Sequence, residues 1–417
     1  AVMPQTKVAV LSTLDSKEDV VAFFCDVVEK AGGDPWLMDL SLRPHDKQGA
    51  AVGGREIAEA SGTTWDALDK MSRAEAAETM IIGATEILKQ KFEAGDIGGV
   101  VGVGGANGCT MSCGMMRALP PLFPKAMVTP VAATAAVQWY VAQSDIAMYP
   151  TIGDISLNRI TREAMTNAAH AIVAQAEAWR ARSDDKKSHP PLIGVTSFGN
   201  LQKCVDRVTA RLEDENFEVI HFHSSGPGGK ALEQLSRIGE LAGVIDITTS
   251  ELTDLLTGGV YSAGPERLTG AGAAGLPQVV VPGALDMTNW WVGEVPKRYH
   301  DREFYQYNVE ILLMRTNVEE MAMLARMIAR RLNEAKGPVT VMVPTQGFCQ
   351  FTDHTAHDID GKETGPWFRP ETDEVFAKVL RESLKQGDIN EFDLHVNDPA
   401  FADACVDEFL RLMKSDA

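Results

Sequence analysis

Two glycine-rich turns carry the residues best suited to chemistry in this chain. One is Gly102-Val103-Gly104-Gly105-Ala106-Asn107-Gly108-Cys109-Thr110, and the other is Ser224-Ser225-Gly226-Pro227-Gly228-Gly229-Lys230. Each follows a short apolar run (Gly99 to Val103; Val219 to Phe222) and precedes a helix-like stretch. Glycine permits positive φ and lets a ligand come close to main-chain N–H groups. A helix N-terminus adds unpaired donors and a partial positive charge. The expected chemistry is the holding of phosphate or carboxylate, by Gly104, Gly105, Asn107, Gly108 and Thr110 in one turn and by Ser225, Gly226, Gly228 and Gly229 in the other. The first turn is not a P-loop, because no Gly-Lys-Ser/Thr follows, nor does it sit on a domain's first strand as a dinucleotide fingerprint does. A tight turn without a ligand is the plainer alternative.

Acid–base and nucleophilic groups gather at other strand ends. His221 and His223 alternate along one strand, which puts both imidazoles on one face, as a metal or a general base would need. Gly347 to Asp358 holds Cys349, His354 and His357 after an apolar strand. Cys349 is a candidate nucleophile if a base such as His354 or His223 stands beside it. Asp286 ends a further strand. The candidate catalytic set is therefore His223, Cys349, His354 and Asp286, and the candidate metal set is His221, His223, His354 and His357. Local bonding of a histidine, or a polar loop over the sheet, would explain the same residues without catalysis. Arg298, His300 and Arg302 form a basic cluster that could receive an anionic substrate.

These groups must be positioned by alternating strands and helices. Strands are expected at 7–14, 35–40, 99–103, 126–129, 146–148, 192–197, 219–222, 243–247, 278–281, 339–343 and 392–395. Long helices are expected at 72–94, 157–182, 201–215, 318–334, 372–385 and 401–413, with 41–70 irregular. Near-continuous apolar strands between helices predict parallel sheets covered on both faces. The fold class is α/β, with two doubly wound, mostly parallel, Rossmann-like domains. Their spans are 1–182 and 192–417, joined by a polar, proline-ended linker at 183–191. Ligands of such sheets bind beyond the carboxyl ends of the strands.

Composition narrows the function. A chain of 417 residues exceeds one ordinary core. The net charge of −19 disfavours nucleic acid and anionic membranes as partners. Ala126 to Ala142 is too short and polar to span a bilayer. Six cysteines without paired spacing fit a reduced, cytoplasmic setting.

Longer motifs bring a resemblance. Phe222-His223-Ser224-Ser225-Gly226-Pro227-Gly228-Gly229, Asp246-Ile247-Thr248-Thr249-Ser250-Glu251-Leu252, Ser262-Ala263-Gly264-Pro265-Glu266-Arg267-Leu268, Pro282-Gly283-Ala284-Leu285-Asp286-Met287 and Thr13-Leu14-Asp15-Ser16-Lys17 carry it. The chain resembles the family of the ATP-binding N-terminal domain of the tomato tobamovirus-resistance protein, whose bacterial members are mostly uncharacterised. The resemblance implies two α/β domains, ATP with magnesium as ligand and a homodimer or higher homo-oligomer. Cys109 stands where the family has glycine, and Cys349 where it more often has serine. The expected function is binding of a phosphorylated or carboxylated metabolite between the two domains, with action upon it. Two alternatives stay open. One is a hydrolase or lyase cleaving a small carbonyl or carboxylate metabolite by His/Cys/Asp or divalent-metal chemistry, and the other is a non-catalytic ligand sensor.

Overall fold

The computed structural model describes residues 5–182 and 189–415. The chain divides into two compact units between residues 187 and 188. The expected linker at 183–191 falls mostly outside the described residues.

In the first unit β1 (Thr6–Ser12), β2 (Gly33–Asp39), β3 (Gly99–Val103), β4 (Lys125–Thr129) and β5 (Ala147–Pro150) form a parallel sheet in the order β2-β1-β3-β4-β5. Its helices are α1 (Leu14–Lys30), α2 (Gly54–Ala60), α3 (Trp65–Asp69), α4 (Arg73–Glu93), α5 (Ala106–Met116), α6 (Val137–Val141) and α7 (Arg159–Ala181). Side chains alternate across a strand, so each strand feeds two cores. Val8, Val10, Val101 and Val128 pack with Phe24 of α1 and Ile172 of α7. Ala9, Leu11, Val100 and Met127 pack with Met80 of α4 and Met115 of α5. Burial on both faces explains why these strands read as continuous apolar runs.

Residues 41–70, expected to be irregular, contain α2 and α3. These are short helices held by packing. Gly83 of α4 lets α2 approach so closely that an added Cβ would lie 2.0 Å from the Ile57 carbonyl oxygen. Ser72 and Glu75 start α4 with a reciprocal capping box. Ser16 and Asp19 have the spacing of a capping box, but none forms there. The helix starts earlier, and the Leu14 and Asp15 amides bond instead to Asp39 Oδ1 and Ser41 Oγ, at 3.0 and 3.1 Å.

The second unit is built on β6 (Leu192–Ser197), β7 (Glu218–His223), β8 (Gly243–Thr248), β9 (Gln278–Gly283), β10 (Met287–Trp291), β11 (Phe304–Gln306), β12 (Ile311–Arg315), β13 (Val339–Pro344), β14 (Thr355–His357), β15 (Glu363–Pro366) and β16 (Asp388–Phe392). Six of these form a parallel sheet, β16-β13-β9-β8-β6-β7, and five a separate antiparallel sheet, β10-β12-β11-β14-β15. Its helices are α8 (Gln202–Asp214), α9 (Pro227–Arg237), α10 (Glu251–Thr257), α11 (Gly270–Ala274), α12 (Val318–Leu332), α13 (Pro370–Ser383) and α14 (Pro399–Ser415). The fold is α/β with two parallel sheets, as expected, and the antiparallel sheet is an addition. The last strand lies at 388–392, not 392–395, because an edge strand with no fully buried position lacks the apolar signature.

Both parallel sheets have one topological switch point. β1 lies between β2 and β3, and β6 lies between β7 and β8, so the chain leaves each starting strand first to one side and then to the other. A crevice opens at the carboxyl ends where the connections diverge. The first glycine turn follows β3, at the switch point of its sheet. The second follows β7, an edge strand.

Candidate functional site

The first switch point holds a cavity of about 600 Å³. Thr13, Asp15, Ser16 and Lys17, from the segment after β1, line one wall, and Gly104 to Gly108, from the turn after β3, line another. Arg43 and Arg73 complete it. The N-terminus of α5 is aimed here with glycine at its N-cap and no side chain capping it. Ala106, Asn107 and Gly108 thus bring first-turn amides, which a helix cannot satisfy internally. Lys17 Nζ bonds the Ile155 carbonyl at 3.1 Å, and Arg43 reaches the carbonyls of Leu68, Asp69 and Met71. The Arg73 side chain has no hydrogen bond or ion pair among the described residues. Three cations and a helix N-terminus converge on one crevice in a chain of net charge −19.

The glycines work here by closeness and not by left-handed backbone. No glycine of this turn has positive φ. At Gly104 an added Cβ would meet the Gly108 Cα at 3.0 Å, whereas at Gly105 it would meet nothing within 4 Å. Thr110, expected to help hold a phosphate or carboxylate, does not line this cavity. Its hydroxyl donates to the Ala106 carbonyl at 3.1 Å, one turn back. Cys109 is buried against Thr129.

In the second turn the Gly226 and Gly229 amides are already taken from within. Glu251, at the start of α10, is fully buried, and its Oε1 accepts from the Gly226 amide at 2.7 Å and the Gly229 amide at 3.2 Å. The anion expected from outside is a side chain of the protein itself. Gly226 has φ +100°, and a Cβ at Gly229 would lie 2.1 Å from Glu251 Oε2. Gly228 packs its Cα on the His223 carbonyl. Ser225 Oγ pairs with His223 Nδ1 at 3.0 Å. Glu251 in turn takes Arg267 Nε at 2.6 Å, and Arg267 forks onto Asp246 at 2.5 and 2.7 Å and reaches Glu233 at 3.3 Å. This turn is the lid of a buried ion network.

The candidate catalytic groups are not assembled into a nucleophilic site. Cys349 is completely buried and donates its thiol to Asp286 Oδ2 at 2.9 Å, which also accepts from Trp367 Nε1 at 2.8 Å. Burial, and next the Asp286 charge, push the thiol well above its usual pKa. A cysteine so placed is a packing residue. His354 stacks edge-on against Tyr305 and Phe351, and His223 lies against Phe198. The four-histidine metal set does not form either. His221 Nε2 pairs with Thr209 at 2.8 Å, His357 lines a separate cavity with His300, and no three His, Cys, Asp or Glu side chains could hold a metal among the described residues. The basic cluster is spent internally, Arg302 on Glu320, Arg298 on the Thr257 carbonyl and His300 on the Val295 carbonyl. In the native protein at pH 8, Cys349 is expected to stay unmodified by iodoacetamide and to react only after denaturation. Peptide mass spectrometry reads this directly, and rapid native alkylation of Cys349 would contradict the geometry.

Residues 6–181 match the N-terminal domain, and residues 190–413 the C-terminal domain, of the Uncharacterised protein family (UPF0261). The chain belongs to the UPF0261 family. A UPF0261 protein of Clostridium tetani is 33% identical over 413 residues, covering 98% of this chain and 99% of that one. One from Rhizobium meliloti is 36% identical over 405 residues, covering 96% and 97%. The tomato ToMV resistance protein Tm-1(GCR237) is 32% identical over 327 residues, 76% of this chain and 42% of that protein. The family resemblance drawn from the motifs is thereby shown. Among solved structures, an esterase domain from a Rhodothermus marinus protein aligns at TM-score 0.29 with 10% identity, over 55% of this chain and 89% of that one. That likeness is too loose to carry a reading.

In this UPF0261 chain, the sequence by itself does not mark Lys17, Arg43 and Arg73 as site residues. Lys17 follows the first strand within the Thr13-Leu14-Asp15-Ser16-Lys17 motif, which is the signal the sequence offers. Arg43 and Arg73 are distant in sequence and only the fold brings them in. No helix among the described residues is long and apolar enough to cross a membrane.

Buried carboxylates of the second unit give a pH signature. Burial raises Asp254 and Asp373 from 3.8 to about 7, and burial also raises Glu251. Such acids keep their protons in the folded state at pH values where the unfolded chain has lost them. Stability is therefore expected to fall as pH rises from about 4 to about 7, and to level off above. Urea midpoints at pH 5 and pH 7.5 check this, and Asp373→Asn should shrink the difference. A midpoint that rises across the interval would refute the assignment.

Proposed function

We propose that the first unit binds a small molecule carrying phosphate or carboxylate groups at its switch-point cavity, with an ATP-like polyphosphate as the ligand that the family resemblance favours. The observation that carries this is the meeting of Lys17, Arg43 and Arg73 with the uncapped N-terminus of α5. Backbone amides there would take phosphate oxygens, and the guanidinium groups would add charge-assisted, fork-shaped contacts. Asp15 is the one carboxylate among the lining residues and, with Thr13 and Ser16, supplies oxygen ligands of the kind magnesium takes. The reading is one of binding, carried by the cations and the helix N-terminus in the lining.

Calorimetry with ATP and with pyrophosphate, each with and without magnesium, tests the proposal. Arg73→Glu is the chosen variant, because the exposed Arg73 side chain makes no hydrogen bond or ion pair within the described fold. A charge-assisted hydrogen bond contributes about 1.5–3 kcal/mol, so the variant should bind at least tenfold more weakly with an unchanged melting temperature. No heat at millimolar ligand, or equal affinity in the variant, would reject the site.

A further inference from the structure

A second cavity, of about 120 Å³, lies beyond the carboxyl ends of β6 and β7 in the second unit. Phe198 follows β6, Tyr261 follows α10, Tyr307 follows β11 and Phe351 follows β13, and all four line it, with His223 from the end of β7. No Lys, Arg, Asp or Glu is among its lining residues, which separates it in kind from the cationic crevice of the first unit. Much of its polarity is spent inside the protein. Asn289 Nδ2 donates to Asp254 Oδ2 at 2.9 Å, Asn308 Oδ1 accepts from the Glu310 and Ile311 amides at 2.8 and 2.7 Å, and His223 Nδ1 pairs with Ser225 Oγ at 3.0 Å. The amide oxygens of Asn200 and Asn289 are buried and do not open on it.

The aromatic rings of the wall cross steeply. Phe198 and Tyr261 have centroids 6.2 Å apart and planes 86° apart, and Tyr307 and Phe351 have centroids 6.0 Å apart and planes 73° apart. Tyr307 reaches from its turn to the segment after β6, where a Cβ at Gly199 would meet its hydroxyl oxygen at 3.0 Å. Parallel rings would make a slot for a flat guest, whereas crossed rings wall a compact space. The face of each ring is the negative pole of its quadrupole, so several rings around one small space attract a cation. A cation that must donate hydrogen bonds finds few acceptors here, and a methylated ammonium needs none. The volume is below the roughly 150 Å³ of a cavity that accepts one benzene ring, enough for a single head group. Two further observations favour positive charge. Glu310, on the same turn as Tyr307, is exposed, and its side chain has no hydrogen bond or ion pair among the described residues. Burial raises the Tyr261 phenol above its usual pKa, and the Asp254 and Glu310 charges add to this, so negative potential reaches the wall.

We propose that this cavity is an aromatic cage for the methylated ammonium group of a free small molecule, such as a trimethylammonium head. The rings supply the attraction, and Glu310 draws the cation towards them. The site rests on different residues from the proposed polyphosphate site, so the two stand or fall separately.

Ligand-observed NMR and calorimetry on the full chain test it, with choline and tetramethylammonium as probes and dimethylbutanol as the uncharged carbon isostere of choline. At least one of the two cations is expected to bind about tenfold more tightly than the isostere, and ATP should not compete. Tyr307→Leu removes one ring at a side chain 46% exposed. It should weaken choline about tenfold with an unchanged melting temperature, whereas Tyr307→Phe, which keeps the ring, should bind like the parent. Glu310→Gln should weaken choline about threefold at low salt and not at high salt. Arg73→Glu should leave choline binding unchanged. The proposal is overturned if neither cation binds at millimolar concentration, if the isostere binds equally well, if ATP competes, or if Tyr307→Leu binds choline like the parent. It is also overturned if a trimethyl-lysine peptide or phosphatidylcholine vesicles bind much more tightly than choline, which would assign the cage to a macromolecule.

Discussion

Replacing Arg267 with methionine is expected to lower the stability of the second unit by about 3–5 kcal/mol, the usual cost of removing one partner from a buried ion network. For a unit of this size that is a fall of roughly ten degrees in its thermal midpoint. The guanidinium is completely buried, and its three N–H-bearing nitrogens satisfy Asp246, Glu251, Glu233 and the Thr248 carbonyl. Three carboxylates converge on one cation, so methionine would leave three buried acids facing one another without compensation. Glu251 already shows the strain: burial raises its pKa despite the neighbouring Arg267 charge. Arg267→Lys should fare little better, because an ammonium cannot fork onto Asp246 while also reaching Glu251. Calorimetric scans of the three proteins check this. A lysine variant as stable as the parent would show that charge alone matters and that the fork geometry does not.

The same network shows what sequence could and could not convey. The parallel strands and long helices were legible because burial on both sheet faces writes long apolar runs and helical periodicity into the chain. The antiparallel sheet was not, because its strands are only 3–5 residues long and are joined by loops of mixed character. The cavity after β3 was legible through its glycines, but its arginines were not, since Arg43 and Arg73 lie in segments that only tertiary packing turns inward. Cys349, His354 and Asp286 shared a neighbourhood of strand ends, and sequence could not show that the thiol would be sealed under Trp367 and not opened to a ligand. Above all, the two glycine turns look alike as strings and differ in what their amides face. For the second, the partner is Glu251, more than twenty residues further along, and a buried internal carboxylate leaves no mark on the turn itself.

That difference gives the other large expected effect. Gly229→Ala would place a methyl group 2.1 Å from Glu251 Oε2, where no real contact can exist. Either the first turn of α9 moves or Glu251 retracts from the Gly226 and Gly229 amides. Overpacking costs about 1–3 kcal/mol, and loss of charge-assisted hydrogen bonds about 1.5–3 kcal/mol, so a combined destabilisation of roughly 3–5 kcal/mol is expected. Gly105→Ala supplies the contrast, because its methyl would meet nothing within 4 Å and its φ of −76° suits any residue. Its cost should stay within about 1 kcal/mol, the penalty of alanine at an N-cap. Ligand affinity should divide the opposite way: the methyl of Gly105→Ala projects from a wall of the first cavity and should weaken polyphosphate binding, whereas Gly229→Ala should leave it intact under conditions where the protein is folded. Thermal scans paired with calorimetry on both variants separate a turn that is open to an outside anion from one that is already filled, and equal stability losses in the two would erase that distinction.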